Sequence, residues 1–225
     1  EEDYIFLAMA SMAEMELPWP AELLVVNNNS TDNTQAILDA LEVKTVLETT
    51  QGYGAARNAG LDAARASVLL TADADNMYPK TWAKTMATPL LQNESIAVTC
   101  SLYCFYTNDD KYSLGLELYQ QSRLVNNLMR HSKRPHLNCL GGSMGLRKEQ
   151  ALAAGGYQNK GRGEDGGLAF LLQEKGKIKL ITSKKAFSFS NLRTVFQDGS
   201  LGKAFKVRIK KYSKRMLGYF VKQKA

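Results

Sequence analysis

No stretch of these 225 residues sustains the ~20 apolar positions that a bilayer crossing needs, so a membrane-spanning helix is excluded. Nothing resembles a secretory leader, and the chain opens at Glu1 without a methionine, which points to a missing upstream piece. Histidine is scarce: His131 and His136 flank a basic patch, are too few for a histidine metal site, and are expected at the surface. The three cysteines (Cys100, Cys104, Cys139) are an odd count without metal-ligand spacing, which favours structural thiols in a reducing, cytosolic setting. Two phosphate-binding signatures are also missing, the Gly-x-x-x-x-Gly-Lys-Ser/Thr loop and the Gly-x-Gly-x-x-Gly fingerprint. No internal repeat or low-complexity linker divides the chain.

Acidic residues are missing from one segment. Residues 201–225 carry nine Lys/Arg and no Asp or Glu. Removing those nine positive charges from the net +7 leaves −2 for residues 1–200, so the basicity belongs to the tail. There, Phe205, Ile209, Tyr212, Met216 and Phe220 recur at helical spacing among lysines and arginines, a basic amphipathic helix. Two readings stand for it: a helix lying on an anionic membrane surface, or one packing its stripe on the domain with its charges in water. Nucleic-acid binding is disfavoured, because no recognition module accompanies the charge.

What is present reads as alternating strands and helices. Residues 22–26, "ELLVV", form an apolar run, followed by a polar turn and a helical period through Ala36, Ile37, Leu38 and Leu41. A second strand covers residues 44–48, an Ala-rich helix residues 55–66, and a third strand Val68–Thr71. That alternation predicts an α/β fold with an open, mixed but largely parallel sheet flanked by helices. Further on, the pattern gives helices over 80–92, 114–129 and 164–175, one long or two short strands over 96–106, and strands over 140–146, 178–181 and 186–190. Ligands in such sheets bind beyond the carboxyl ends of the strands, where Asn27–Asn29 and Asp73–Asp75 fall.

Three constellations could carry chemistry. In "VLLTADADNMY" the third strand runs into Asp73 and Asp75, which strand alternation would point to one side. Paired carboxylates of this kind suit Mg²⁺ or Mn²⁺ bridging a substrate diphosphate; the competing reading is a solvated loop capping the next helix. Glu164-Asp165, after Gly161-Arg162-Gly163, either supplies a general base or satisfies a helix N-terminus, where acids are favoured. "QGYGAARNAG" (51–60) either holds phosphate on backbone N–H groups, with Arg57 beside it, or is a plain helix start with a surface arginine.

In order, "VVNNNSTDNT", "ETTQGYGAARNAG", "LLTADADNMYP", "GGSMGLRKE" and "GGYQNKGRGEDGGLAFLLQEKG" strongly resemble family 2 glycosyltransferases, inverting enzymes of the A-type glycosyltransferase fold. The resemblance covers residue 1 to about 199, so residues 1–200 are expected to form the catalytic domain and 201–225 an appended helix. The opening "EED" resembles the end of the family's first-strand motif, which implies that this strand is absent.

The resemblance implies an inverting hexosyltransferase dependent on Mg²⁺ or Mn²⁺. Its donor would be a UDP- or GDP-sugar and its acceptor a saccharide or lipid-linked hydroxyl. It implies a role in cell-wall or polysaccharide biosynthesis, in the cytoplasm or on the inner face of the cell membrane. By the same resemblance, Asp73 contacts the nucleotide ribose or the metal, Asp75 ligates the metal, and Asp165 is the base, supported by Glu164. Arg57 lies near the donor base or diphosphate. Asn27 stands where the family usually has an aspartate facing the nucleobase, with Asn29 in the same loop; an amide can accept that bond but also donates. Some relatives complete the metal shell with a histidine near "AFSFSNLR", where this chain has serines; Arg193 at its end either neutralises diphosphate or an acidic acceptor or forms a structural ion pair. The alternatives are a catalytically weak sugar-nucleotide-binding protein of the same fold, kept open by Asn27, and a nucleotidyltransferase, which would want a basic glycine-rich segment near the N-terminus.

Overall fold

The computed structural model describes residues 1–106, 114–158 and 163–191. In chain order its strands are β1 Val25–Asn27, β2 Thr45–Leu47, β3 Val68–Ala72, β4 Asn76–Met77, β5 Ile96–Ser101, β6 Tyr103–Tyr106, β7 Ser143–Arg147, β8 Lys177–Ile181 and β9 Ser188–Asn191. The helices are α1 Ile5–Ala13, α2 Thr34–Ala40, α3 Tyr53–Ala63, α4 Trp82–Gln92, α5 Leu114–Lys133, α6 Lys148–Ala153 and α7 Glu164–Leu172.

The architecture is α/β with open sheets flanked by helices, as the alternation predicts. β1 and β2 pair in parallel, joined by α2. The central sheet runs β3-β7-β5-β8, with β7 antiparallel to both its neighbours and β5 parallel to β8. A third, smaller sheet runs β4-β9-β6. Three of the six pairings are parallel and three antiparallel, so the strands are mixed, as expected, but not largely parallel, because β7 runs against both its neighbours and β4 against β9.

β5 is buried at all six positions, as a strand covered on both faces must be. One cluster packs Leu61, Ala151, Leu168 and Leu172 against Val98, Met144 and Leu146. A second sets Tyr78, Trp82 and Met86 with Ile181. The short α1, which the apolar periodicity does not predict, buries Ile5, Ala8 and Met9, neighbours on one helix face, against Leu38 of α2.

The register of β3 on β7 sets up the site. Ala72, the last residue of β3, lies opposite Ser143, the first of β7. The residues just after one and just before the other, Asp73 and Gly141-Gly142, are therefore brought side by side. Among the described residues no helix is long and apolar enough to cross a membrane. The basic tail and Arg193 lie outside the described residues.

Candidate active site

Arg57 organises the site. It sits in the second turn of α3, and its side chain is only 14 % exposed rather than on the surface. Its Nη2 donates to Asp73 Oδ1 at 3.0 Å, and its Nη1 donates to the Gly141 carbonyl at 3.1 Å. Its Nε lies 2.9 Å from Asp165 Oδ1, an attraction of charges without an aligned hydrogen bond. Burial would loosen the guanidinium proton, but Asp165 and Asp73 more than offset it, so the group is held charged.

Asp165, in the first turn of α7, accepts from the Gly141 N–H at 2.7 Å. Its side chain is 13 % exposed. Burial, the largest influence, pushes its carboxyl up to about 6 although Arg57 and the Gly141 N–H pull it down. A carboxylate poised there exchanges protons close to neutral pH, which suits a general base.

Gly141 and Gly142 must be glycine for lack of space. A Cβ on Gly141 would overlap the Arg57 guanidinium, and one on Gly142 would overlap Asp73 Oδ2 and the Tyr103 hydroxyl. The Tyr78 hydroxyl accepts from the Asp73 N–H at 2.8 Å and donates to the Gly142 carbonyl at 2.9 Å. The Tyr103 hydroxyl faces Asp73 Oδ2 at 3.4 Å. Burial first, and the charge of Asp73 second, raise both phenols well above their ordinary range, so they remain donors. These four residues were not among the sequence candidates, although the Gly-Gly pair stands inside a quoted motif.

The two aspartates are not aligned by strand alternation. β3 ends at Ala72, Ala74 and Asp75 lie in a turn, and the Asn76 N–H bonds back to the Asp73 carbonyl. Both carboxylates are half-buried beside Tyr78, whose hydroxyl feels the charge of each. A tight turn, not an extended strand, therefore carries the chain from Asp73 to Asp75.

Asn27 is buried at the end of β1 and already engaged: its Oδ1 accepts from the Ser30 N–H at 2.9 Å and its amide donates to Gln35 at 2.7 Å. Its oxygen retains one lone pair for a ligand donor. Asn29 is exposed, with a left-handed φ of 55°. Between them, Asn28 bonds the Glu48 and Thr50 carbonyls and the Gly52 N–H, fixing the loop that launches α3 and hence Arg57. Glu164 stands next to Asp165 with Oε2 buried and without a partner. The two histidines are half-buried rather than at the surface, and His136 meets Phe170 edge-on at 5.0 Å. Cys100 and Cys139 are buried and reduced.

The donor set fits a hard divalent cation. Among the described residues no three His, Cys, Asp or Glu gather around one point. Asp73 and Asp75 would hold a Mg²⁺ or Mn²⁺ ion whose remaining shell comes from substrate phosphate and water, the habit of such ions at phosphate sites.

The family model described as glycosyl transferase family 2 matches residues 1–156. The chain belongs to that family. Asp165 lies beyond the matched segment. No curated protein matches the chain. Among solved structures, the family member resembles residues 1–349 of TarS from S. aureus (18% identity, TM-score 0.65, 88% of this chain and 58% of that one). It also resembles the mannosyltransferase PcManGT from Pyrobaculum calidifontis, solved with GDP-Man and Mn²⁺ (17%, TM-score 0.65, 93% and 61%). A third likeness is to glucosyl-3-phosphoglycerate synthase from Mycobacterium tuberculosis, solved with Mn²⁺, UDP and glucosyl-3-phosphoglycerate (21%, TM-score 0.56, 85% and 66%). At these identities the likeness is one of fold, the A-type glycosyltransferase fold. The chain spans about three fifths of the length of the first solved structures it matches.

Proposed function

We propose that this family 2 domain transfers a hexosyl group from a UDP- or GDP-linked donor to an acceptor hydroxyl, with inversion and with Asp165 as base. The observation that carries the reading is the single guanidinium joining Asp73, at the end of β3, to Asp165, at the start of α7. Two carboxylates gathered on one guanidinium, that of Asp165 with a raised pKa, support a donor-side acid and a base sharing one site. Family membership and the nucleotide-sugar and Mn²⁺ complexes of fold relatives support it.

In the reaction Asp165 accepts the hydroxyl proton of the acceptor. The acceptor oxygen bonds to the anomeric carbon as the bond from that carbon to the β-phosphate oxygen breaks. The electron pair departs on the nucleoside diphosphate, and configuration inverts in the single displacement. Asp73 and Asp75 would hold a divalent ion, which would supply positive charge beside the leaving diphosphate. Arg57 holds Asp165 in place, and Gly141 fixes the other carboxylate oxygen through its N–H. Asn27, Asn29 and Arg193 complete the donor side in this proposal, Arg193 against diphosphate. The basic tail, as an amphipathic helix on anionic lipid, would bring the domain to a lipid-linked acceptor in cell-wall or polysaccharide synthesis.

The experiment is a panel of nucleotide sugars incubated with the full chain and Mn²⁺, following release of UDP or GDP. One donor hydrolysed slowly, with loss of turnover in Asp165→Asn, is the expected result. Turnover unaffected by that substitution removes the base role.

A further inference from the structure

A cavity adjoins the carboxylate site. It encloses about 210 Å³, and its walls include Tyr103, Arg123, Asn127, Arg130, Asn138 and Leu140; among the described residues two arginines line it and no acid does. It shares structure with the site just described. Tyr103 reaches Asp73 through its hydroxyl, and Leu140 immediately precedes the Gly141 that grips Asp165. The turn from Leu140 to Ser143, closed by the Ser143 N–H on the Leu140 carbonyl at 2.9 Å, thus separates the cavity from the base.

Both arginines are pre-set. The Arg130 Nε donates to Asn138 Oδ1 and its Nη2 to Asn127 Oδ1, each at 2.6 Å. Asn138 in turn donates to the Asn127 carbonyl at 2.8 Å and is 3 % exposed. Arg123 lies 4.6 Å from the Phe105 ring centre and 5.8 Å from that of Tyr119, with Nη1 on the Tyr103 carbonyl at 3.3 Å. Among the described residues no carboxylate pairs with Arg123. A guanidinium fixed on aromatic faces and neutral oxygens keeps its charge and its planar fork for an incoming anion. The Arg123 fork matches the bidentate geometry of phosphate or carboxylate, and Arg130 adds a second positive charge to the same wall.

We propose that this cavity holds an anionic group of the acceptor, a phosphate or carboxylate, while the acceptor hydroxyl reaches across the Leu140–Gly141 turn to Asp165. The inference rests on the glycosyl-transfer reading of the Asp165 site and names the acceptor class for it: a hydroxyl compound carrying a fixed negative charge.

The test titrates inorganic phosphate calorimetrically into the full chain already saturated with Mn²⁺ and UDP, or GDP in a parallel arm. One saturable phosphate site is expected. Arg123→Gln and Arg130→Gln should each weaken it about tenfold or more, the loss of one charge-assisted pair, while nucleotide affinity stays unchanged. Arg130 also anchors two asparagines, so Arg123→Gln, confirmed as folded by its melting curve, decides the matter if Arg130→Gln does not fold.

Glycerol 3-phosphate in one arm and phosphatidylglycerol vesicles in another distinguish a soluble acceptor from a lipid headgroup; binding to either, lost in Arg123→Gln, supports the proposal. No saturable phosphate binding, displacement of phosphate by nucleotide, or unchanged phosphate affinity in Arg123→Gln overturns it. Failure of both nucleotides to bind with Mn²⁺, alongside arginine-dependent phosphate binding, would instead sink the donor reading and leave the anion site standing.

Discussion

Arg57 Nε lies 2.9 Å from Asp165 and Arg57 Nη2 lies 3.0 Å from Asp73, so one side chain of α3 ties the edge of the central sheet to the first turn of α7. Removing it leaves two carboxylates near each other with no cation between them. Breaking a buried pair by deleting one partner costs about 3–5 kcal/mol, and the residual exposure here places the loss near the lower end. Arg57→Met should therefore lower stability by about 3 kcal/mol in urea titrations and raise the Asp165 pKa further. A loss below about 1 kcal/mol would show that water already satisfies both acids.

The Asp165 carboxyl, pushed up to about 6 mainly by burial, should set the acid limb of activity. The base works only when ionised, so kcat/KM should climb with pH through about 6 and level off above it. Stability runs the other way. The unfolded carboxyl releases its proton near pH 4, so between about pH 4 and 6 the folded state holds a proton that the unfolded state has lost. The contribution of this group is then fully present below about pH 4 and is lost as pH rises through about 6, by about 3 kcal/mol for a gap of two units. Asp165→Asn should flatten this decline relative to the parent chain. Identical pH profiles of stability for the two would refute the burial of this group.

The sequence showed parts of this plainly. The apolar run Val68–Thr71 is a strand because four consecutive apolar or β-branched residues with an acidic stop have few other readings. The Ala-rich segment before it is a helix for equally local reasons. Arg57 is different. Its burial depends on Gly141, eighty-four residues away, having no side chain, and no local pattern encodes that distance. The turn at Ala74–Asp75 is invisible to alternation, which assumes that the strand continues, whereas the Asn76 N–H closes it back on Asp73. α1 carries no local signal, because "IFLAMASMA" is apolar nearly all round and its N-cap, Tyr4, makes no side-chain capping bond.

Gly142 faces Asp73 so closely that any side chain must displace it. Gly142→Ala should cost about 1–3 kcal/mol, the usual range for overpacking, and should abolish Mn²⁺-dependent nucleotide binding by moving the Asp73 carboxylate. Fluorescence titration with a labelled nucleotide reads the second effect, and thermal melting the first. Retention of full nucleotide affinity would mean that Asp73 is not on the donor side.

Asp75 and Asp165 should separate in their effects. Asp75→Ala is expected to make nucleotide-sugar binding indifferent to EDTA and weaker by about tenfold or more, the loss of about 1.4 kcal/mol or more of metal-bridged contact. Asp165→Asn should leave that binding nearly intact while abolishing transfer. Equal losses of binding in both variants would place Asp165 on the donor rather than on the acceptor.

Tyr157 offers a test on a buried hydroxyl. The residue is 3 % exposed, its backbone is clamped by Asn58 through two 2.8 Å bonds, and its hydroxyl has no partner. Burial first, then the nearby Asp165 charge, raise this phenol above its ordinary range, against the opposing pull of Arg57. An unpaired buried hydroxyl costs about 1–3 kcal/mol in desolvation without any return. Tyr157→Phe, which keeps the ring and the Asn58 clamp, should therefore leave stability unchanged or raise it by about 1 kcal/mol, with turnover preserved. Chemical denaturation of the two proteins side by side decides this. A Phe variant less stable by 1 kcal/mol or more would mean that the hydroxyl is bonded in solution, and a selective fall in turnover would mean that it touches the acceptor beside Asp165.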